Sequence, residues 1–218
     1  MKDAMLREII GRQSVLPILT IPSVLAALRI AENLLAGGIH VMEITLRTEQ
    51  APAGIRAVRD RYPEMAVGAG TLLRPEDFDK AGTAGAQFAV SPGLGPALGE
   101  AGAHSPLPFL PGVQTASEVM QAISYGFTTL KFYPARAAGG PPVLADFGRI
   151  FPDVLFVPTG KLGQADVPEY LALPNVIAVG GGWVTPAERI AAQEWGHIRR
   201  LAEEATKITR PKPGAGNR

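Results

Sequence analysis

Thr128-Thr-Leu-Lys-Phe-Tyr-Pro-Ala135 is a short apolar run of strand-forming residues with a Pro near its end and one charge, Lys131. Such a run reads as a buried strand. Burying an ammonium costs on the order of several kcal/mol unless it is paired or loses its proton. Desolvation lowers a lysine pKa, and a neutral amine is a nucleophile toward carbonyl carbon. A lysine near a strand end also snorkels into water. The stretch alone leaves both readings open.

Working outward, a helical pattern precedes this strand over 115–126 and another follows it near 142–151. The same strand-then-helix unit recurs along the chain. Strands are expected over 16–21, 40–47, 66–72, 87–93, 108–113, 129–135, 155–160 and 176–179. Helices are expected from Ser23 to Gly37, over 49–62, 74–85, 95–103, 115–126, 142–151 and 167–173, and as one long helix over 185–208. Eight such units close into a (β/α)8 TIM barrel, whereas a doubly wound sheet has fewer strands. Residues 1–209 are expected to form this single domain. Residues 210–218, rich in Pro, Gly and base, are expected to form a disordered tail.

In a barrel of this kind the chemistry sits at the C-terminal ends of the strands. Alternation along 40–47 puts Met42, Ile44 and Leu46 on one face, suited to packing on helices, and Glu43, Thr45 and Arg47 on the other, inside the barrel. In the lysine strand Thr129, Lys131 and Tyr133 share a face. In the third strand Val67, Ala69 and Thr71 share one, with Thr71 at the end. Glu43, Arg47, Thr71 and Lys131 are therefore expected to converge at one mouth. The alternative is a buried ionic cluster with a structural role. The other strand ends are small or rigid: Ser91-Pro-Gly93, Pro111-Gly112, Thr159-Gly160 and Gly180-Gly-Gly182. Glycines after the seventh and eighth strands suit the backbone cradle for phosphate that such barrels frequently carry there.

Composition bounds the rest. The chain has 218 residues, 46% of them apolar, and a formal net charge of +1, so nothing marks it for nucleic acid or a membrane surface. It has no cysteine and three scattered histidines, which argues against thiolate chemistry and a protein-built metal cage. The first twelve residues lack the long apolar core of a signal peptide, and the expected location is cytoplasmic.

Taken together, Val41-Met-Glu-Ile-Thr-Leu-Arg47, Val67-Gly-Ala-Gly-Thr71, Gln87-Phe-Ala-Val-Ser-Pro-Gly93, Leu110-Pro-Gly-Val113, Leu130-Lys-Phe-Tyr-Pro-Ala135, Val157-Pro-Thr-Gly160 and Gly181-Gly-Trp183 resemble the 2-keto-3-deoxy-6-phosphogluconate (KDPG) aldolase family, which includes the 4-hydroxy-2-oxoglutarate (KHG) aldolases. The match runs in order, one motif per strand, from about residue 14 to 205. The resemblance implies a class I aldolase with no metal or other cofactor, a small-molecule substrate of the 2-keto-3-deoxy sugar acid phosphate type, pyruvate as product, and a homotrimer. It implies Lys131 as the Schiff-base lysine and Glu43 as the proton shuttle. Arg47 and Thr71 would hold the pyruvate carboxylate, Pro92 and Tyr133 would line the pocket, and Thr159, Gly160, Gly181 and Gly182 would bind the distal phosphate.

Two positions depart from the family pattern. Lys161 stands where a second glycine is usual, and Gly182 where a serine is common. If strand seven stays regular, Lys161 has the parity of Thr159 and points into the mouth. There it would contact the distal phosphate or depress the Lys131 pKa; the alternative is a solvated loop lysine. A sugar-phosphate isomerase on the same barrel and a metal-dependent pyruvate aldolase are the competing enzyme readings. The lone inward lysine argues against the first and the missing ligand cluster against the second.

Overall fold

The computed structural model describes residues 2–210. Met1 and residues 211–218 lie outside them, and with them nearly all of the segment expected to be a disordered tail. Arg210, the first residue of that segment, lies within them and donates from its guanidinium to Val176 O.

β1 (Val15–Leu19) pairs in parallel with β2 (Val41–Thr45) on one side and with the last strand, β9 (Val179–Gly181), on the other. β2 pairs with β3 (Ala66–Gly70), β3 with β4 (Phe88–Val90) and β4 with β5 (Phe109–Leu110). On the far side β6 (Gly112–Val113) pairs with β7 (Thr129–Phe132) and β7 with β8 (Leu155–Pro158). Parallel bridges Phe156↔Val176 and Thr159↔Gly180 join β8 to the last strand. The ring thus closes on itself as a (β/α)8 barrel. The expected fifth strand, 108–113, is two half-strands, because Pro111 has no N–H to give the ladder. Its carbonyl still accepts from Lys131 N at 2.8 Å. The expected eighth strand is shifted: the paired residues are Val179–Gly181, and Val176 makes only an isolated bridge.

Ten helices are described: α1 (Lys2–Gly11), α2 (Val24–Ala36), α3 (Ala51–Arg61), α4 (Glu76–Thr83), α5 (Pro96–His104), α6 (Ala116–Ser124), α7 (Gly140–Ile150), α8 (Val167–Leu171), α9 (Ala187–Ala191) and α10 (Trp195–Thr206). Ser23 caps α2 by accepting from Ala26 N, and Thr115 with Glu118 forms a capping box on α6. The single long helix expected over 185–208 is broken: α9 and α10 are separated by Gln193 at φ +56°. No helix among the described residues is long and apolar enough to cross a membrane.

The alternation read from β2 and β7 sorts the core into two layers. Met42, Ile44, Leu130 and Phe132 belong to the outer layer between strands and helices. A second cluster fills the barrel itself: Leu16, Val41, Phe88, Val90, Leu110, Val157 and Ala178, joined by Leu6 and Ile10 of α1. That first helix was not anticipated from its mixed charged and apolar sequence. Asp3 Oδ2 accepts from Thr128 Oγ1 (2.5 Å) and Thr129 Oγ1 (3.1 Å), and Arg7 Nε donates to Thr129 Oγ1 (2.9 Å). α1 is therefore a plug in the N-terminal end of the barrel, leaving the C-terminal end as the open one. Truncating Leu6 to Ala removes a fully buried plug residue. We expect about 2–5 kcal/mol loss of unfolding free energy by urea titration; a loss under about 1 kcal/mol would show that the seal adds little.

Candidate active site

The barrel's inward face changes character along its axis. Apolar side chains fill the lower half, and toward the C-terminal end the strands present glycine and polar groups. Lys131 follows Thr129 on the inward face of β7 and is paired in register with Gly112 and Val157. Glu43 is inward on β2 and paired with Gly68. Their side chains meet inside the barrel: Lys131 Nζ lies 3.5 Å from Glu43 Oε1, with Lys131 6% and Glu43 1% exposed. Neither Glu43 oxygen accepts a hydrogen bond from another described group. A carboxylate this buried normally accepts several, so its lone pairs remain open to a proton or a ligand donor. The Lys131 ammonium nitrogen also lies 5.6 Å from the centroid of the Tyr133 ring.

Neighbouring glycines make the room. A Cβ on Gly70 would overlap Glu43 Oε1, and one on Gly68 would overlap the Phe88 ring. A Cβ on Gly112 would run into the Pro92 carbonyl, so the bare Gly112 lets Pro92 close in beside the strand position paired with Lys131. Ser91 Oγ fixes that turn, donating to Gly93 O (2.7 Å) and accepting from Gly112 N (3.3 Å). A Cβ on Gly180 would overlap Thr159 Oγ1. Thr159 is itself buried, with its hydroxyl donating to Val157 O at 3.3 Å.

Arg47 lies past the end of β2, exposed, and pairs with no carboxylate among the described residues. Thr71 corrects the parity argument. Glu43 is in register with Gly68, so Gly68 and Gly70 are the inward residues of β3, and Val67 and Ala69 pack in the outer layer. By alternation Thr71 would face outward. Its φ of +64° ends the alternation at that residue. A β-branched residue there costs about 1–3 kcal/mol, and such strain clusters at functional positions. Asp77 anchors the loop that follows, accepting from Leu73 N (3.0 Å) and Arg74 N (3.3 Å) and pairing with Lys80 Nζ (3.2 Å). Burial works to raise the Asp77 pKa, but these hydrogen bonds and the Lys80 ammonium outweigh it and hold the carboxyl below its ordinary value.

Among the described residues no group of three His, Cys, Asp or Glu is placed to hold a metal ion. The family described as KDPG and KHG aldolase matches residues 6–201.

The chain belongs to the KDPG and KHG aldolase family.

An Escherichia coli KHG/KDPG aldolase is 42% identical over 193 residues, covering 88% of this chain and 91% of the relative. A KDPG aldolase from Legionella pneumophila, crystallised with pyruvate captured as a covalent carbinolamine, is 40% identical with a TM-score of 0.90, covering 92% of this chain and 98% of that one. A Zymomonas mobilis KDPG aldolase solved with 3-phosphoglycerate is 38% identical with a TM-score of 0.87, covering 96% and 98%.

Against the aldolase pattern, the two departures are now located. The strand does not stay regular through Lys161, so the parity argument for its direction lapses. Gly160 has φ +116° and Lys161 φ +53°, and Lys161 is exposed on the resulting turn. Its carbonyl accepts from Arg136 Nε at 2.9 Å, and Arg136 Nη2 also reaches Asp166 Oδ2 at 2.5 Å. Gly182 is exposed at the start of a 3₁₀ turn, and a Cβ there would meet only Ile18 O at 3.6 Å, an ordinary contact. The sequence reading overlooked one polar pair at this mouth: Thr20 Oγ1 and Thr45 Oγ1, 2.7 Å apart. The signal was present, since Leu16, Ile18 and Thr20 share a parity and Thr20 is the first polar residue on it.

Gly70→Ala should keep the fold and lose activity by about 10²-fold or more if the Glu43 carboxylate that its Cβ would displace moves a proton in the reaction. Circular dichroism and steady-state cleavage rates check it; near-normal rates would mean that Glu43 can reach Lys131 another way.

Proposed function

We propose that this protein is a class I aldolase that reversibly cleaves 2-keto-3-deoxy-6-phosphogluconate, or its galactonate epimer, to pyruvate and glyceraldehyde 3-phosphate. The observation that carries the proposal is the buried Lys131–Glu43 contact at 3.5 Å, in a family whose Legionella member holds pyruvate as a covalent carbinolamine. The Lys131 amine, having given a proton to Glu43, attacks the C2 carbonyl carbon. Glu43 returns that proton to the carbinolamine hydroxyl, which leaves as water to give an iminium. The iminium draws the C3–C4 bonding electrons as the Glu43 carboxylate, ionised again, takes the C4 hydroxyl proton. The aldehyde leaves, Glu43 passes its proton to C3 of the enamine, and water hydrolyses the resulting iminium to return pyruvate and free Lys131. Proton transfer by a positioned side chain contributes roughly 10²- to 10⁴-fold.

In this reading Arg47 takes the pyruvate carboxylate as a charge-assisted partner. Thr71 sits beside it, and Pro92 and Tyr133 wall the pocket. Thr159, Gly160, Gly181 and Gly182 receive the distal group. Lys161 adds a mobile charge at the rim, where Gly182 lacks a hydroxyl. That same bare glycine, together with the dual name of the Escherichia coli relative, supports a second substrate, 4-hydroxy-2-oxoglutarate, whose distal anion is a carboxylate. The proposal includes a homotrimer and a cytoplasmic location, both carried by the family likeness, and no metal or organic cofactor.

Borohydride reduction in the presence of pyruvate is expected to add a reduced pyruvate unit at Lys131. Glu43→Gln should still be labelled but cleave roughly 10²-fold or more slowly. A label mapped to Lys161, or cleavage restored by a divalent cation after chelation, would overturn the assignment. Lys161→Gly is expected to lower kcat/KM about 10-fold on the phosphorylated substrate, the worth of one charge-assisted contact, and to leave an unphosphorylated 2-keto-3-deoxy acid unchanged. No change on either substrate would make Lys161 a surface residue.

A further inference from the structure

Thr20 lies one residue past β1, on the parity of Leu16 and Ile18, which face the barrel interior. Ile18 is in register with Glu43, so Thr20 falls opposite Thr45, and the hydroxyls meet at 2.7 Å. Thr45 is 3% exposed and is the next inward residue after Glu43 on β2. It is therefore about 6.6 Å nearer the open end. Thr20 itself is exposed at that end. On its other side β1 pairs with β9, with Pro17 opposite Gly181, and Ile18 O is the atom nearest the missing side chain of Gly182. Thr20 thus stands between the strand carrying Glu43 and the glycine turn proposed to receive the distal end of the substrate.

The proton arrangement gives this hydroxyl a definite character. Thr45 Oγ1 lies 3.2 Å from Leu19 O, an acceptor, and has one hydrogen to donate. Both contacts are satisfied when Thr45 donates to Leu19 O and Thr20 donates to Thr45. The only hydrogen of Thr20 is then engaged, and the exposed hydroxyl is left with lone pairs to accept. An oxygen in this state accepts from a substrate O–H and is unsuited to phosphate or carboxylate oxygens. Its bond to a buried partner also fixes its rotamer before substrate arrives, which removes an ordering cost.

We infer that Thr20 is a specificity-determining residue whose hydroxyl oxygen accepts a hydrogen bond from the hydroxyl on the carbon next to the aldehyde carbon in the non-pyruvate half of the substrate. This rests on the aldolase reading above. It makes that half of the site selective for a polyhydroxy aldehyde independently of its distal anion.

The test is aldol addition of pyruvate to two aldehydes of equal charge: glyceraldehyde 3-phosphate and 3-phosphooxypropanal, which lacks only that hydroxyl. Thr20→Val should lower the ratio of kcat/KM between the first and the second by roughly three- to tenfold, and Thr20→Ser should restore it. Borohydride labelling of Lys131 with pyruvate, run in parallel, tests the aldolase reading alone, because pyruvate lacks the half that Thr20 is assigned to contact. An unchanged ratio in Thr20→Val, an equal fall for both aldehydes, or failure of Ser to rescue would overturn the inference while labelling persists. Absence of labelling in the unaltered protein would instead overturn the aldolase reading.

Discussion

The upper half of this barrel is arranged around one buried contact, Lys131 Nζ to Glu43 Oε1. Two opposite charges taken out of water are costly, and removing either leaves the other stranded, at about 3–5 kcal/mol. The pair also needs space that a close-packed barrel does not offer by default. β3 supplies it by presenting Gly68 and Gly70 where other strands present side chains, so that the Phe88 ring and the Glu43 carboxylate both lie across it. At the other end of the axis α1 adds Leu6 and Ile10 to the interior cluster. Stability and chemistry are thereby separated along the barrel, as the fold permits.

Much of this was legible in the sequence because the strand period is simple. Glu43 and Lys131 each stand alone among apolar neighbours, and alternation placed both inward. The same rule failed where the backbone left the strand conformation. Thr71 and Lys161 both have positive φ, a property of the chain's turns that a two-residue period cannot contain. Thr71 lies just past β3 in a conformation its parity does not describe, and Lys161 lies on an exposed turn despite its own parity. Both cases have one cause, a strand rule carried past the end of its strand, by one residue at Thr71 and by three at Lys161.

The missed elements share a different cause. α1 has little amphipathic signature, since only Leu6 and Ile10 of its ten residues are buried, and they insert end-on into a barrel formed by distant strands. The split at Pro111 and the break at Gln193 are likewise invisible to periodicity. Pro111 is recognisable only as a missing donor and Gln193 only as an uncommon φ. Thr20 is marked in the sequence by its inward parity, but its partner lies 25 residues away, a pairing that register supplies and sequence spacing does not.

The plug at the lower end has a consequence for how the chain folds. α1 precedes the other described helices in the chain, yet its polar partners include Thr128, Thr129 and the Asp153 carbonyl, with Arg7 and Thr129 separated by 122 residues. Its apolar seat includes Val157 and Ala178. Until those strands exist, Leu6 and Ile10 have nowhere to bury themselves. Closure of the ring and docking of its stopper are therefore coupled events that wait on strands as distant as β9.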